Sequence, residues 1–248
     1  MKTKRWGILN IEKWLWGAFF IFIGLFILAE ALGLPLNHGH IFLQAGVVIG
    51  TLFTYLYLVS GEGLNRARIT CGLIISLTLI IELVAHNTYL IYGPFNYTHR
   101  GGHFLLSTRW WLGVPWTFPL IWFVLLCCSF YTAQSLTRSF NHYLTIAAAA
   151  LLMMITDLNL ESVSWYMNGG YEMAYCRWFT QDVPAQKYVA VLIMSGLLLL
   201  ICPLRTHSGK ALRWRPILML SLFNLLLLAV RFDYWFRKKV QISAITWQ

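Results

Sequence analysis

Long, nearly uncharged apolar blocks recur along the whole of this 248-residue chain, and they constrain its fold more than any other feature. Each block runs about 17–24 residues, the length that crosses a hydrocarbon core of about 30 Å. Seven can be drawn, at about 14–32, 41–60, 69–91, 112–132, 143–161, 188–204 and 214–231. Lipid offers backbone N–H and C=O groups no partner, so segments of this kind close their hydrogen bonds as helices. Alternating strands with a polar lumen face, the other solution, are absent. The expected fold is all-α: a polytopic membrane helix bundle of about seven transmembrane helices, one domain over residues 1–248, multi-pass in the cell membrane.

Composition agrees. Hydrophobic residues make up 58% of the chain and charged residues 11%, against roughly 25% charged in soluble domains. The formal charge of +10 does not point to nucleic acid. Lys2, Lys4, Arg5, Arg66, Arg68, Arg205, Lys210, Arg213, Arg215, Arg237, Lys238 and Lys239 sit at block ends, where basic residues set topology and meet anionic lipid headgroups. The N-terminus and the 205–215 loop both belong on the cytoplasmic side by that rule, while seven spans put Arg237-Lys238-Lys239 outside. Ala29-Glu30-Ala31 imitates a signal-peptide cleavage site, but the apolar run before it exceeds the usual h-region, so a retained first helix is expected. Five cysteines, at 71, 127, 128, 176 and 202, lack zinc-ligand spacing and read as small buried hydrophobes.

Two connectors are too long and too aromatic to be simple turns. Residues 92–111 carry Tyr92, Phe95, Tyr97, Trp110 and Trp111, and residues 162–187 carry Trp165, Tyr166, Tyr171, Tyr175 and Trp178. They form either an interfacial aromatic belt or a lid over a site opening at one membrane face. Seven spans put both on one side.

Ionisable residues inside spans cost roughly 2.5–3.5 kcal/mol each at a helix centre, so each needs a reason. Glu82 and His86 are four apart on the third span, and Asp157 and Glu161 are four apart on the fifth, so each pair shares a helix face. Asn87 and Thr88 extend the first polar patch. Such groups either glue helices, pair with a loop arginine such as Arg109 or Arg177, or form a site. Two such pairs favour the site.

Several chemistries lack their residues. Clustered His motifs for a di-iron hydroxylase are missing, since only His99 and His103 stand four apart, in a loop. A single Asp157…Glu161 pair is too little for Mg²⁺-diphosphate chemistry. The last span holds no Lys for retinal, and there is no Walker loop or nucleophile elbow. Acid–base chemistry without metal or nucleotide remains, or transport.

From Glu82 the chain continues through Thr88 to Ile91-Tyr92-Gly93-Pro94-Phe95-Asn96-Tyr97-Thr98, and then Gly113-Val114-Pro115-Trp116-Thr117-Phe118-Pro119-Leu120-Ile121-Trp122. With Asp157-Leu158-Asn159-Leu160-Glu161-Ser162-Val163, these segments resemble, in order and spacing, the membrane carotenoid-biosynthesis family that includes γ-carotene 1′-hydratase and bisanhydrobacterioruberin hydratase. The likeness covers about residues 75–195. A later family segment is half present at Asp182-Val183-Pro184-Ala185-Gln186-Lys187-Tyr188. Tyr89 and Ala85 stand where that family usually has Gly, Ser162 where it has Pro, Lys187 where it has Asn and Val191 where it has Trp.

The resemblance implies a carotenoid hydratase that adds water across a terminal C=C of an acyclic end group, with no cofactor. Protonation at the less substituted carbon leaves a tertiary cation that water captures. Two carboxylates in different environments suit this chemistry, one neutral as acid and one ionised as base. Glu82 and Asp157 are the candidates, supported by Glu161 and His86, with acid and base left open between them. Thr88, Tyr92, Phe95, Tyr97 and Trp165 are candidate substrate contacts, since aromatic faces stabilise a cation. The implied partners are a lipid-soluble carotenoid, membrane lipids and other carotenoid enzymes. A carrier of a lipophilic substrate and an isoprenoid cyclase are the competing readings.

Overall fold

The computed structural model describes residues 39–93, 95–97, 114, 116–137, 141–167, 176–178, 185–204 and 216–225, with the single helical positions 21 and 228; side chains are described outside 39–45, 95–97, 161–167 and 176–178. The described elements, in chain order, are α1 (Gly39–Glu62), α2 (Leu64–Thr88), β1 (Phe95–Tyr97), α3 (Thr117–Leu136), α4 (His142–Met167), β2 (Cys176–Trp178), α5 (Ala185–Ile201) and α6 (Pro216–Leu225). This is an all-α membrane helix bundle. The one sheet among the described residues is a three-residue antiparallel pairing of β1 with β2.

Helices α2 and α3 and the His142–Leu160 part of α4 are long and apolar enough to cross a bilayer, while Ala185–Ile201 and Pro216–Leu225 are apolar but shorter. At 1.5 Å per residue, the 25 residues of α2 reach about 37 Å. The first predicted span lies outside the described residues except for Ile21, which is helical. The other six each contain a described helix, with shifted ends. The third starts five residues before its predicted position, at Leu64, because Arg66 and Arg68 lower local hydropathy without interrupting the helix.

The bundle is built around α3. Its buried positions run almost without a break from Leu125 to Gln134, as expected of a helix apolar all round. Helices α1, α2 and α4 pack against it, and α5 packs along α4. The outer helices bury a single stripe each. On α2 this stripe is Ala67, Thr70, Ile74, Thr78, Glu82 and Ala85, steps of three and four that keep one face inward. The opposite faces display Ile69, Ile80, Val84, Leu151, Ile155, Val189, Ile193 and Leu197. So many exposed branched aliphatics on adjoining helices suit a lipid solvent. Cys127, Cys128 and Cys202 are buried and Cys71 half-buried, all as free thiols.

Polar side chains also join the helices. Asn224 on α6 accepts from Asn159 Nδ2 at 2.8 Å and donates to Thr156 Oγ1 at 3.1 Å, both on α4. Tyr131 donates to Glu62 Oε1 at 2.6 Å where α1 ends.

Candidate active site

The site forms at the end of the bundle where α2 and α4 terminate and α3 and α5 begin. Glu82 lies six residues before the end of α2, about 9 Å along the axis. Its place in the buried stripe leaves it 2% exposed. Two donors reach the same oxygen, Oε1: the Tyr92 hydroxyl at 3.1 Å and Trp122 Nε1 at 3.0 Å. A buried carboxyl group needs such partners, since leaving one unsatisfied costs several times what a bond gains.

Local backbone brings Tyr92 back to Glu82. Helix α2 ends at Tyr89, which takes a left-handed conformation (φ 57°, ψ 7°) while its N–H still bonds Ala85 O at 3.0 Å. Gly93 N–H then bonds Tyr89 O at 3.0 Å, with Gly93 at φ 89°. The tight turn folds Tyr92 inward, 3% exposed. Burial first, and then the carboxylates of Glu82 and Asp157, push its phenol well above the ordinary range, so Tyr92 stays a hydrogen-bond donor. Gln186, in the first turn of α5, clamps the same turn by donating to Leu90 O at 2.6 Å and Ile91 O at 3.3 Å.

Asp157 lies on α4 with 14% of its side chain exposed, and its Oδ2 is 3.4 Å from Nζ of Lys187, 9% exposed. Both Asp157 and Glu82 are within electrostatic reach of Lys187 and of Tyr92. The two carboxylates therefore belong to one polar cluster. Among the described residues Asp157 is paired with a helix lysine; Arg109 and the side chain of Arg177, the loop arginines of one sequence alternative, lie outside the described residues.

The remaining expected residues fall as follows. His86 is half-buried one turn beyond Glu82. Thr88 is exposed, its hydroxyl bonded to Val84 O at 2.6 Å and accepting from Leu90 N–H at 3.2 Å; it is engaged in ending the helix. Glu161 and Trp165 lie on α4, and Phe95 and Tyr97 on β1, and the side chains of all four are outside the description. The register pairs Phe95 with Trp178 and Tyr97 with Cys176, so the two aromatic connectors meet. Trp122 and Lys187 had no role in the sequence reading. Trp122 closes the second quoted motif, the one signal for it. Lys187 was visible as a departure at a motif position, without a partner.

Residues 42–242 match the family model described as carotenoid biosynthesis protein. The chain belongs to this family. Neither a curated protein nor a solved structure matches it. Membership of the carotenoid biosynthesis family, with the apolar helices already described, gives the chain a role in carotenoid biosynthesis and places it in a membrane.

Proposed function

We propose that this member of the family is a cofactor-independent hydratase that adds water across a terminal C=C of an acyclic carotenoid end group. Residues 1–248 then form one domain, multi-pass in the cell membrane. The observation that carries it is the pair of carboxylates in one cluster with unlike partners: Glu82 beside an indole N–H and a phenol, Asp157 beside an ammonium. Hydration needs two carboxyl groups in different states, one to give a proton and one to take it.

The substrate's terminal double bond receives a proton at its less substituted carbon. Water's oxygen bonds to the tertiary cation so formed, and the surplus proton passes to the second carboxylate. One proton transfer between the two carboxyls restores the starting state, so the net change is addition of one water. A polyene dissolved in the bilayer reaches such a site laterally, from between helices. Tyr92 and Trp122 at Glu82 supply aromatic faces for a cation, with Phe95, Tyr97 and Trp165 on the adjoining segments and Thr88, His86 and Glu161 at the margin.

Cyclisation shares the first protonation and favours a dry aromatic pocket. The Asp157–Lys187 pair makes this end of the site charged where ring closure favours apolar walls, and so supports hydration over ring closure.

The test is expression in a host that accumulates an acyclic carotenoid, comparing pigment masses for wild type and Asp157→Asn in the presence of ¹⁸O water. Hydration predicts a wild-type product heavier by one water, carrying the label and lost in the variant. A pigment profile unchanged by well-expressed wild type on every acyclic substrate tried sinks the proposal, and an isomeric product points to cyclisation.

A further inference from the structure

Helices α4 and α5 pack along one another, and Lys187 Nζ on α5 lies 3.4 Å from Asp157 Oδ2 on α4. Directed charge-assisted hydrogen bonds are shorter, about 2.7–2.9 Å. The two groups are therefore held by charge and by the packing of their helices.

This is a costly place for a lysine. Its side chain is buried, and it is the one buried cationic side chain among the described residues. It also sits in the first turn of α5, where the positive end of the helix dipole disfavours a cation. A buried charge is retained when it is paired, and here the pairing is with a carboxylate of the candidate site.

We infer that Lys187 is a positioning residue: its ammonium holds Asp157 as the ionised carboxylate that takes a proton from the attacking water, and the protonating role then falls to Glu82. The inference rests on the hydration reading above and deepens it by dividing the labour between the two carboxyls.

The environment of Glu82 suits its half of the division. Tyr92 and Trp122 donate to Oε1, as donors do to the carbonyl-type oxygen of a carboxylic acid. Glu82 gives its proton to the less substituted carbon, the water oxygen bonds to the tertiary carbon, and the surplus proton passes to Asp157. Its return from Asp157 to Glu82 closes the cycle, with the substrate gaining H and OH and the protein unchanged. Lys187 keeps its own proton throughout; it fixes the charge and direction of Asp157.

Two readouts on detergent-purified full-length protein test this. The first is hydration of a reconstituted acyclic carotenoid by wild type, Lys187→Met and Lys187→Arg. Lys187→Met is expected to lose about tenfold or more, less than the roughly hundredfold or more of a group that itself transfers the proton, and Lys187→Arg, which keeps the cation, to recover most of the loss. The second is infrared difference spectroscopy, which separates carboxylate from protonated carboxyl and needs no turnover. Wild type should show a carboxylate band removed by Asp157→Asn and a protonated-carboxyl band removed by Glu82→Gln, and Lys187→Met should convert the Asp157 band to the protonated form.

Full activity in Lys187→Met, or a protonated Asp157 in wild type, overturns the inference. A wild type that hydrates no acyclic carotenoid sinks the hydration reading itself, while the infrared bands still report on the ion pair. If Lys187→Met does not accumulate in membranes, Lys187→Gln takes its place in both measurements.

Discussion

Trp122 Nε1 donates to Glu82 Oε1 at 3.0 Å, across forty residues of sequence and between two different helices. The bond ties the central helix α3 to the buried stripe of α2 and fixes where the carboxyl group sits. Trp122→Phe keeps most of the apolar volume and removes the donor. Losing this bond to a buried carboxyl is expected to cost about 1–3 kcal/mol, read as a lower melting temperature in detergent. Hydration should fall with it, since Glu82 is then held less firmly, by Tyr92 without the indole. Wild-type stability in this variant would show that the indole contributes packing alone.

Tyr89 ends α2 in the left-handed region at φ 57°, where the family usually carries Gly. A residue with a Cβ pays roughly 1–2 kcal/mol for that conformation. Tyr89→Gly removes the strain at the cost of the contacts of a ring that is 39% exposed. The variant is expected to be more stable by about 1 kcal/mol, partly offset by the greater freedom of glycine in the unfolded chain. A drop in thermal stability would mean that contacts of the Tyr89 ring outweigh the strain.

The spans were legible because lipid demands long apolar helices, a rule that acts on local sequence. Glu82 and Asp157 were legible for the same reason inverted, since a carboxyl in an apolar run is costly wherever its partners are. The partners themselves were not. The bond from Trp122 to Glu82 and the contact of Lys187 with Asp157 join residues whose separations follow no helical period. The helix ends also resisted: α2 starts early because Arg66 and Arg68 are tolerated within it, and it stops at Thr88 through a backbone turn that no side-chain pattern announces. Gln186 meeting Leu90 and Ile91 was hidden likewise, although both partners lie at edges of the quoted motifs.

Asn224 is the junction of α6 with α4, bonded to both Asn159 and Thr156. Hydrogen bonds between helices in membranes average about 0.6 kcal/mol and reach about 1.7. Asn224→Leu, which loses both, should therefore destabilise the fold by about 1–2 kcal/mol. Because Asn224 bonds Thr156 and Asn159, which flank Asp157, and neither carboxylate itself, the identity of the carotenoid product should not change. An altered product with unaltered stability would instead assign Asn224 to the substrate path.

The ion pair between Asp157 and Lys187 makes a prediction about stability that is independent of activity. Removing one member of a buried pair leaves the other charge uncompensated, at a cost of about 3–5 kcal/mol. Replacing both by neutral side chains of similar size removes the penalty with the pair. Asp157→Asn and Lys187→Met should each lower the melting temperature in detergent, and the double variant should be more stable than either single one. The coupling expected from the cycle is several tenths to about 3 kcal/mol, with the sign of a favourable pair. Additive losses would mean that the 3.4 Å approach carries little energy and that water or another side chain neutralises each group. A double variant as stable as wild type would show that α4 and α5 need no charge between them to dock. The lysine at the start of α5 is then retained for the chemistry at Asp157, because packing alone would be served as well by an apolar residue.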